Sequence, residues 1–183
     1  MAQPVELVPL VCIKCGVPIV TGPEEVAWVC KSCGQGMTID DSLGLCALPV
    51  SYVVGLSTTS AGKPFWVVEG QVTLERETYS GNQQKAAQQF WSQPHQFFIP
   101  AYACSLDQLL ATGISLIHKP PSLEAGPQAS FEPVILPTQD VQAVAEFIVM
   151  AIEAERKDML KSVHFALKLS QPKLWILPVQ SEP

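Results

Sequence analysis

The sequence predicts an α+β fold in two parts: a small β module over residues 1–46, and a domain over residues 47–183 with an antiparallel or mixed sheet and two or three helices. Three observations carry this. Two Cys-x-x-Cys-Gly motifs stand close together near the start of the chain. β-branched and aromatic runs bounded by turn residues recur from residue 50 onward. One stretch, residues 141–152, follows the apolar spacing of an amphipathic helix.

In the first part, residues 1–11 read as a short apolar leader strand carrying Pro4 and Pro9. Residues 17–20 and 26–29 are β-prone runs on either side of a Thr21-Gly22-Pro23-Glu24 turn, which predicts a hairpin whose ends each bear a cysteine pair. Residues 37–40 suit a third strand.

In the second part, residues 50–56 and 65–74 read as strands joined by a loop over 57–64. The Gln-rich segment 80–96 predicts a short helix opened by Ser80-Gly81-Asn82 and running to Trp91. Residues 97–103 suit another strand. Ser105 and Gln108 match a capping box, Gly113 is placed to close that helix, and residues 114–118 then read as a strand. Four prolines and Gly126 mark residues 119–133 as a loop. Thr138 is placed to cap the main helix, whose apolar face is Val141, Val144, Ala145, Ile148, Val149 and Ile152. Glu153 and Lys157 fall at i, i+4 on it in the favourable order. Residues 163–169 and 174–179 predict a C-terminal hairpin with Pro172 in the turn.

The chemistry-bearing motifs are Cys12-Ile13-Lys14-Cys15-Gly16 and Cys30-Lys31-Ser32-Cys33-Gly34, with 14 residues between Cys15 and Cys30. Two residues between cysteines make a tight turn that aims both sulfurs at one point. The glycine after each second cysteine permits a positive φ, so that backbone amides turn back toward sulfur. Four thiolates converging from Cys12, Cys15, Cys30 and Cys33 suit a tetrahedral zinc ion. The module is too short to build its own core, so metal affinity becomes folding energy. Four cysteine ligands leave no open position for a catalytic water.

These paired knuckles resemble the zinc-ribbon family over about residues 10–41. The resemblance implies a structural Zn2+ site on hairpin tips. Ribbons serve nucleic-acid binders, enzymes and assembly factors alike. Rubredoxins hold iron on similar knuckles but space their pairs further apart. The overall layout resembles bacterial proteins with an N-terminal ribbon.

Composition narrows the function. Only 15% of the 183 residues are charged, against the roughly 25% of an average domain. Hydrophobic residues make up 48%, so the chain can bury a core and still leave apolar surface for a partner. The net charge of −6 argues against sequence-independent nucleic-acid binding, which needs a basic face. Within residues 1–46, Lys14 and Lys31 stand against Glu6, Glu24, Glu25, Asp40 and Asp41. No window holds the about 18 apolar residues of a membrane span. The N-terminus lacks secretory signal features, so a cytoplasmic location is expected.

No catalytic set emerges. His95, His118 and His164 are scattered, and Cys46 and Cys104 read as buried small hydrophobes. Phosphate loops, dinucleotide fingerprints, serine elbows and kinase motifs are lacking. The reading is therefore a non-enzymatic, zinc-binding protein-interaction or assembly module, a small subunit of a larger complex. Trp66 and Trp91, in the Phe65-Trp66 and Phe90-Trp91 clusters, are the candidate aromatic anchors for a protein partner. The alternatives are a nucleic-acid-binding ribbon protein and a rubredoxin-like electron carrier.

Overall fold

The computed structural model describes residues 9–40, 43–56, 60–81 and 83–178. The leader residues 1–8, Asp41, residues 57–59 of the first loop, Asn82 and Val179 lie outside the described residues. The fold is α+β. A three-stranded antiparallel sheet, β1 (Ala27–Val29), β2 (Gly36–Asp40) and β3 (Gly44–Ala47), comes first. A five-stranded sheet follows, made of β4 (Val50–Tyr52), β5 (Lys63–Ser80), β6 (His95–Pro100), β7 (Met159–Leu169) and β8 (Lys173–Leu177). Its order is β4-β8-β5-β6, with β7 also on β5. The β4–β8 pair is parallel and the other pairs are antiparallel, so the sheet is mixed. The helices are α1 (Gln84–Trp91), α2 (Leu106–His118) and α3 (Val141–Ala154). None is long and apolar enough to cross a membrane.

β5 organises the five-stranded sheet. Alternation sends Trp66, Val68 and Val72 to one face and Phe65 and Val67 to the other. The first face meets Val141, Ala145, Ile148, Val149 and Ile152 of α3 in the main core. The second packs on Phe98, Tyr102, Leu116 and Leu177. Beyond Val68 the second face becomes polar, and Glu69, Gln71, Thr73, Glu75 and Glu77 are exposed. Beginning as a two-sided core strand, β5 ends as one arm of a ribbon paired with β7.

The second cysteine knuckle joins β1 to β2, and the first sits in a small turn closed by a Val11–Pro18 bridge. Residues 17–20 do not pair with 26–29, so the expected hairpin is replaced by two separate knuckle turns. Once β2 takes the inner edge of β1, the other edge goes to Val134, which bridges Ala27. Ala27 belongs to the main core, whereas Cys12, Cys30 and Met37 form a small core of their own.

Three further expectations are corrected. The Ser105 capping box forms, with Gln108 N–H donating to Ser105 Oγ at 3.2 Å and the Gln108 side chain accepting from Ser105 N–H at 3.1 Å. However, Gly113 does not end the helix, and residues 114–118 are its last turns. Gly113 serves close packing instead: a Cβ there would lie 2.5 Å from Ile148 Cδ1 of α3. Residues 163–169 and 174–177 do not fold back on each other. They run end to end along β5, which is long enough to pair with both. Between the Gly70–Leu169 and Val67–Lys173 pairs, two β5 residues face three, a bulge that accommodates Pro172. Ser170 stitches the break through Glu69, as its N–H donates at 2.8 Å and its Oγ accepts at 2.9 Å. Finally, Thr138 does not cap α3. It opens a 3-10 turn (Thr138–Asp140) that leads into the helix, and no side chain among the described residues caps the junction.

Candidate metal centre

The two knuckles repeat one backbone pattern. Cys12 N–H donates to Val17 C=O at 2.9 Å and Gly16 N–H donates to Cys12 C=O at 2.8 Å. Cys30 N–H donates to Gln35 C=O and Gly34 N–H to Cys30 C=O, both at 2.8 Å. The closing glycines carry φ of +71° and +72°. Around Gly16 a Cβ would meet nothing among the described residues within 4 Å, and the positive φ is what glycine supplies there.

This geometry brings the sulfurs of Cys12, Cys15, Cys30 and Cys33 within 4.8 Å of one another. Cys12 Sγ lies 3.5 Å from Cys33 Sγ, and Cys15 Sγ lies 3.6 Å from Cys30 Sγ. A disulfide would need about 2.05 Å. A tetrahedron with metal–sulfur bonds of about 2.3 Å has sulfur–sulfur edges of about 3.8 Å. The set therefore fits a single tetrahedral ion. Cys12 and Cys30 are buried on Met37, Cys33 is half-buried and Cys15 is exposed.

The thiols titrate as a group. Burial opposes ionisation of Cys12, but the N–H groups of Cys15 and Lys14 and the thiols of Cys33 and Cys15 bring it down to about 6. The N–H groups of Cys33 and Ser32 lower Cys30. At Cys15 the Val17 N–H and the Cys33 thiol are outweighed by burial and by the Cys12 and Cys30 thiols, which raise it. At Cys33 the Gln35 N–H is likewise outweighed, and the thiol is pushed up to about 12. Negative charge that four sulfurs cannot hold together is what a bound cation stabilises.

The tryptophans fall elsewhere. Trp66 is 0% exposed and donates from Nε1 to Leu136 C=O at 2.7 Å. Trp91 is 2% exposed and donates from Nε1 to Glu153 Oε1 at 2.8 Å. Both are core residues, which corrects their reading as anchors on the surface. His95 and His118 both lie against Phe90, while His164 stands apart on β7.

A buried ionic cluster was missed. Glu153 does not pair along the helix surface with Lys157. It lies buried against Arg76, Arg156 and Trp91, and Arg76 also grips Asp158. The available signal was the alternation of β5, which puts Arg76 in line with Val72 and Leu74 on the core face.

No family model matches the chain, and no curated protein or solved structure matches it. The fold and site alone define an α+β protein with an N-terminal four-cysteine cluster compatible with a zinc-ribbon-like metal site.

Proposed function

We propose that Cys12, Cys15, Cys30 and Cys33 hold one structural zinc ion, and that the protein is a non-enzymatic interaction module, a small subunit of a larger complex in the cytoplasm. Zinc suits a closed set of four thiolates and leaves no place for a reacting water. The ion supplies a cross-link between two turns too short to hold each other. The knuckle amides orient the sulfurs, and Met37 keeps water from Cys12 and Cys30. A reducing compartment keeps such thiols available for metal.

The observation that carries the interaction reading is the surface around the first knuckle. Val11, Ile13, Val17 and Val20 are all exposed, Val20 at 93%. Apolar side chains grouped on one small module mark a surface that meets a partner. The test is affinity capture from the native host by the tagged protein and by an Ile13→Ser/Val20→Ser variant, beside electrophoretic shift assays with DNA and RNA at low salt. The expected result is a protein partner held by the wild type and lost by the folded, metal-loaded variant. Salt-sensitive nucleic-acid binding with no protein partner would overturn the reading.

A further inference from the structure

We propose that the cleft between β1 and the segment 128–133 takes up an extended peptide segment of a partner protein as an added β-strand. The proposal rests on the interaction reading above and names its site and its kind of partner. The cleft measures about 880 Å³. Trp28 and Val29 form one wall, Ala129 and Phe131 the other, and Val17 and Ile19 of the first knuckle line it as well.

The two walls begin as neighbours and then part. At the closed end Ala27 bridges Val134, and Val26 N–H donates to Val134 C=O at 2.8 Å. Beyond it β1 continues into the second knuckle, and the facing segment turns to Gly62 instead. Gly62 N–H donates to Ser130 C=O at 2.8 Å, and Glu132 N–H donates to Gly62 C=O at 2.9 Å. Ser130 C=O and Glu132 N–H are therefore engaged by Gly62 and not by β1. On β1, Cys30 N–H is used on the β2 side, where it donates to Gln35. The pleat therefore directs the Val29 N–H and C=O away from β2, the side on which Ala27 meets Val134.

The free edge of β1 at Val29 thus offers a backbone donor and acceptor to the cleft. An extended chain carries complementary groups along both of its edges, and strand addition to such an edge is a general mode of peptide recognition. The apolar lining suits alternate apolar side chains. Charge sets the ends. Glu25, whose Oε2 accepts from Thr21 Oγ1 at 2.8 Å, stands at the closed end and Lys31 at the knuckle end, Glu132 lines the cleft as well, and none of the three enters the ion pairs found among the described residues. The complementary strand carries a cation beside Glu25 and an anion beside Lys31.

The experiment uses the full-length, metal-loaded protein and fluorescence anisotropy. The probes are labelled peptides of alternating valine and threonine with lysine at one end and glutamate at the other, made in both chain directions. One direction is expected to bind at least tenfold more tightly than its copy with a central proline. Val29→Pro removes a donor that β2 does not use and should weaken binding at least tenfold. Lys31→Glu should weaken it several-fold and recover it with a peptide whose glutamate is replaced by lysine. If Val29→Pro fails to fold by circular dichroism, the Lys31→Glu exchange decides. Equal binding by the folded variants overturns the proposal. No peptide binding with undiminished partner capture sinks the cleft and leaves the interaction reading standing, whereas loss of both sinks both.

Discussion

Arg76 Nε lies 3.0 Å from Glu153 Oε2, and both side chains are sealed from water. The contact is ionic without hydrogen-bond alignment, since neither atom has a hydrogen-bond partner among the described residues. The Arg76 guanidinium also makes a bidentate pair with Asp158 at 2.7 and 3.0 Å, and Glu153 Oε1 accepts from Trp91 and Arg156 at 2.8 Å each. One cluster thereby ties β5, α1, α3 and the link into β7 together. Removing one member strands a buried opposite charge. Arg76→Met is expected to cost about 3–5 kcal/mol in chemical denaturation. A loss below about 1 kcal/mol, the range of exposed pairs, would show that the cluster is solvated.

The same cluster makes stability depend on acid. The hydrogen bonds from Arg76 hold the Asp158 carboxyl below its ordinary value of 3.8, against the effect of burial. A carboxyl depressed in the folded state contributes fully above its unfolded value, and the contribution is lost as pH falls through the folded value. The denaturation midpoint should therefore drop on acidification below about pH 4, the unfolded range for aspartate. Protonation of the cysteines acts in the same direction, so the diagnostic comparison is Asp158→Asn. That variant is expected to be less stable at neutral pH and to lose less of its remaining stability on acidification.

Trp91 and Trp66 act through folding. Alanine at either position is expected to cost about 3–5 kcal/mol, as for other buried aromatics. Trp91→Phe keeps most of the ring and removes the donor to Glu153, so it should cost about 1–3 kcal/mol by leaving a buried acceptor short of a partner. Thermal denaturation followed by circular dichroism checks both. A stable Trp91→Ala that loses only partner binding would contradict the core placement.

Metal removal should act locally first. Cys12, Cys30 and Met37 form a core separate from the one that holds α3, although Ala27 and the Val26–Val134 hydrogen bond join the two parts. After chelation, hydrogen exchange should accelerate at residues 12–40 while Ala145, Ile148 and Val149 stay protected. Simultaneous loss of protection would show that the two parts fold as one unit.

What could be read from the chain follows from how local each signal is. The knuckles are spelled out within a few residues each, and Ser105 with Gln108 needs only one turn of helix. The α3 face repeats over several turns, so its burial was legible. Gly113 was misread because a glycine that ends a helix and one that admits a neighbouring helix look alike until Ile148 is placed beside it. The segments around Pro172 were misread because hairpin and end-to-end strands share one local pattern, and only the length of β5 decides between them. Glu153 was misread because its partners Arg76 and Trp91 are distant in sequence.

Whether Cys12, Cys15, Cys30 and Cys33 hold zinc is decided by metal analysis with X-ray absorption at the metal edge on the purified protein. The expected result is one zinc per chain with four sulfur ligands at about 2.3 Å. Iron as the main metal, or nitrogen or oxygen atoms in the first coordination shell, would contradict it.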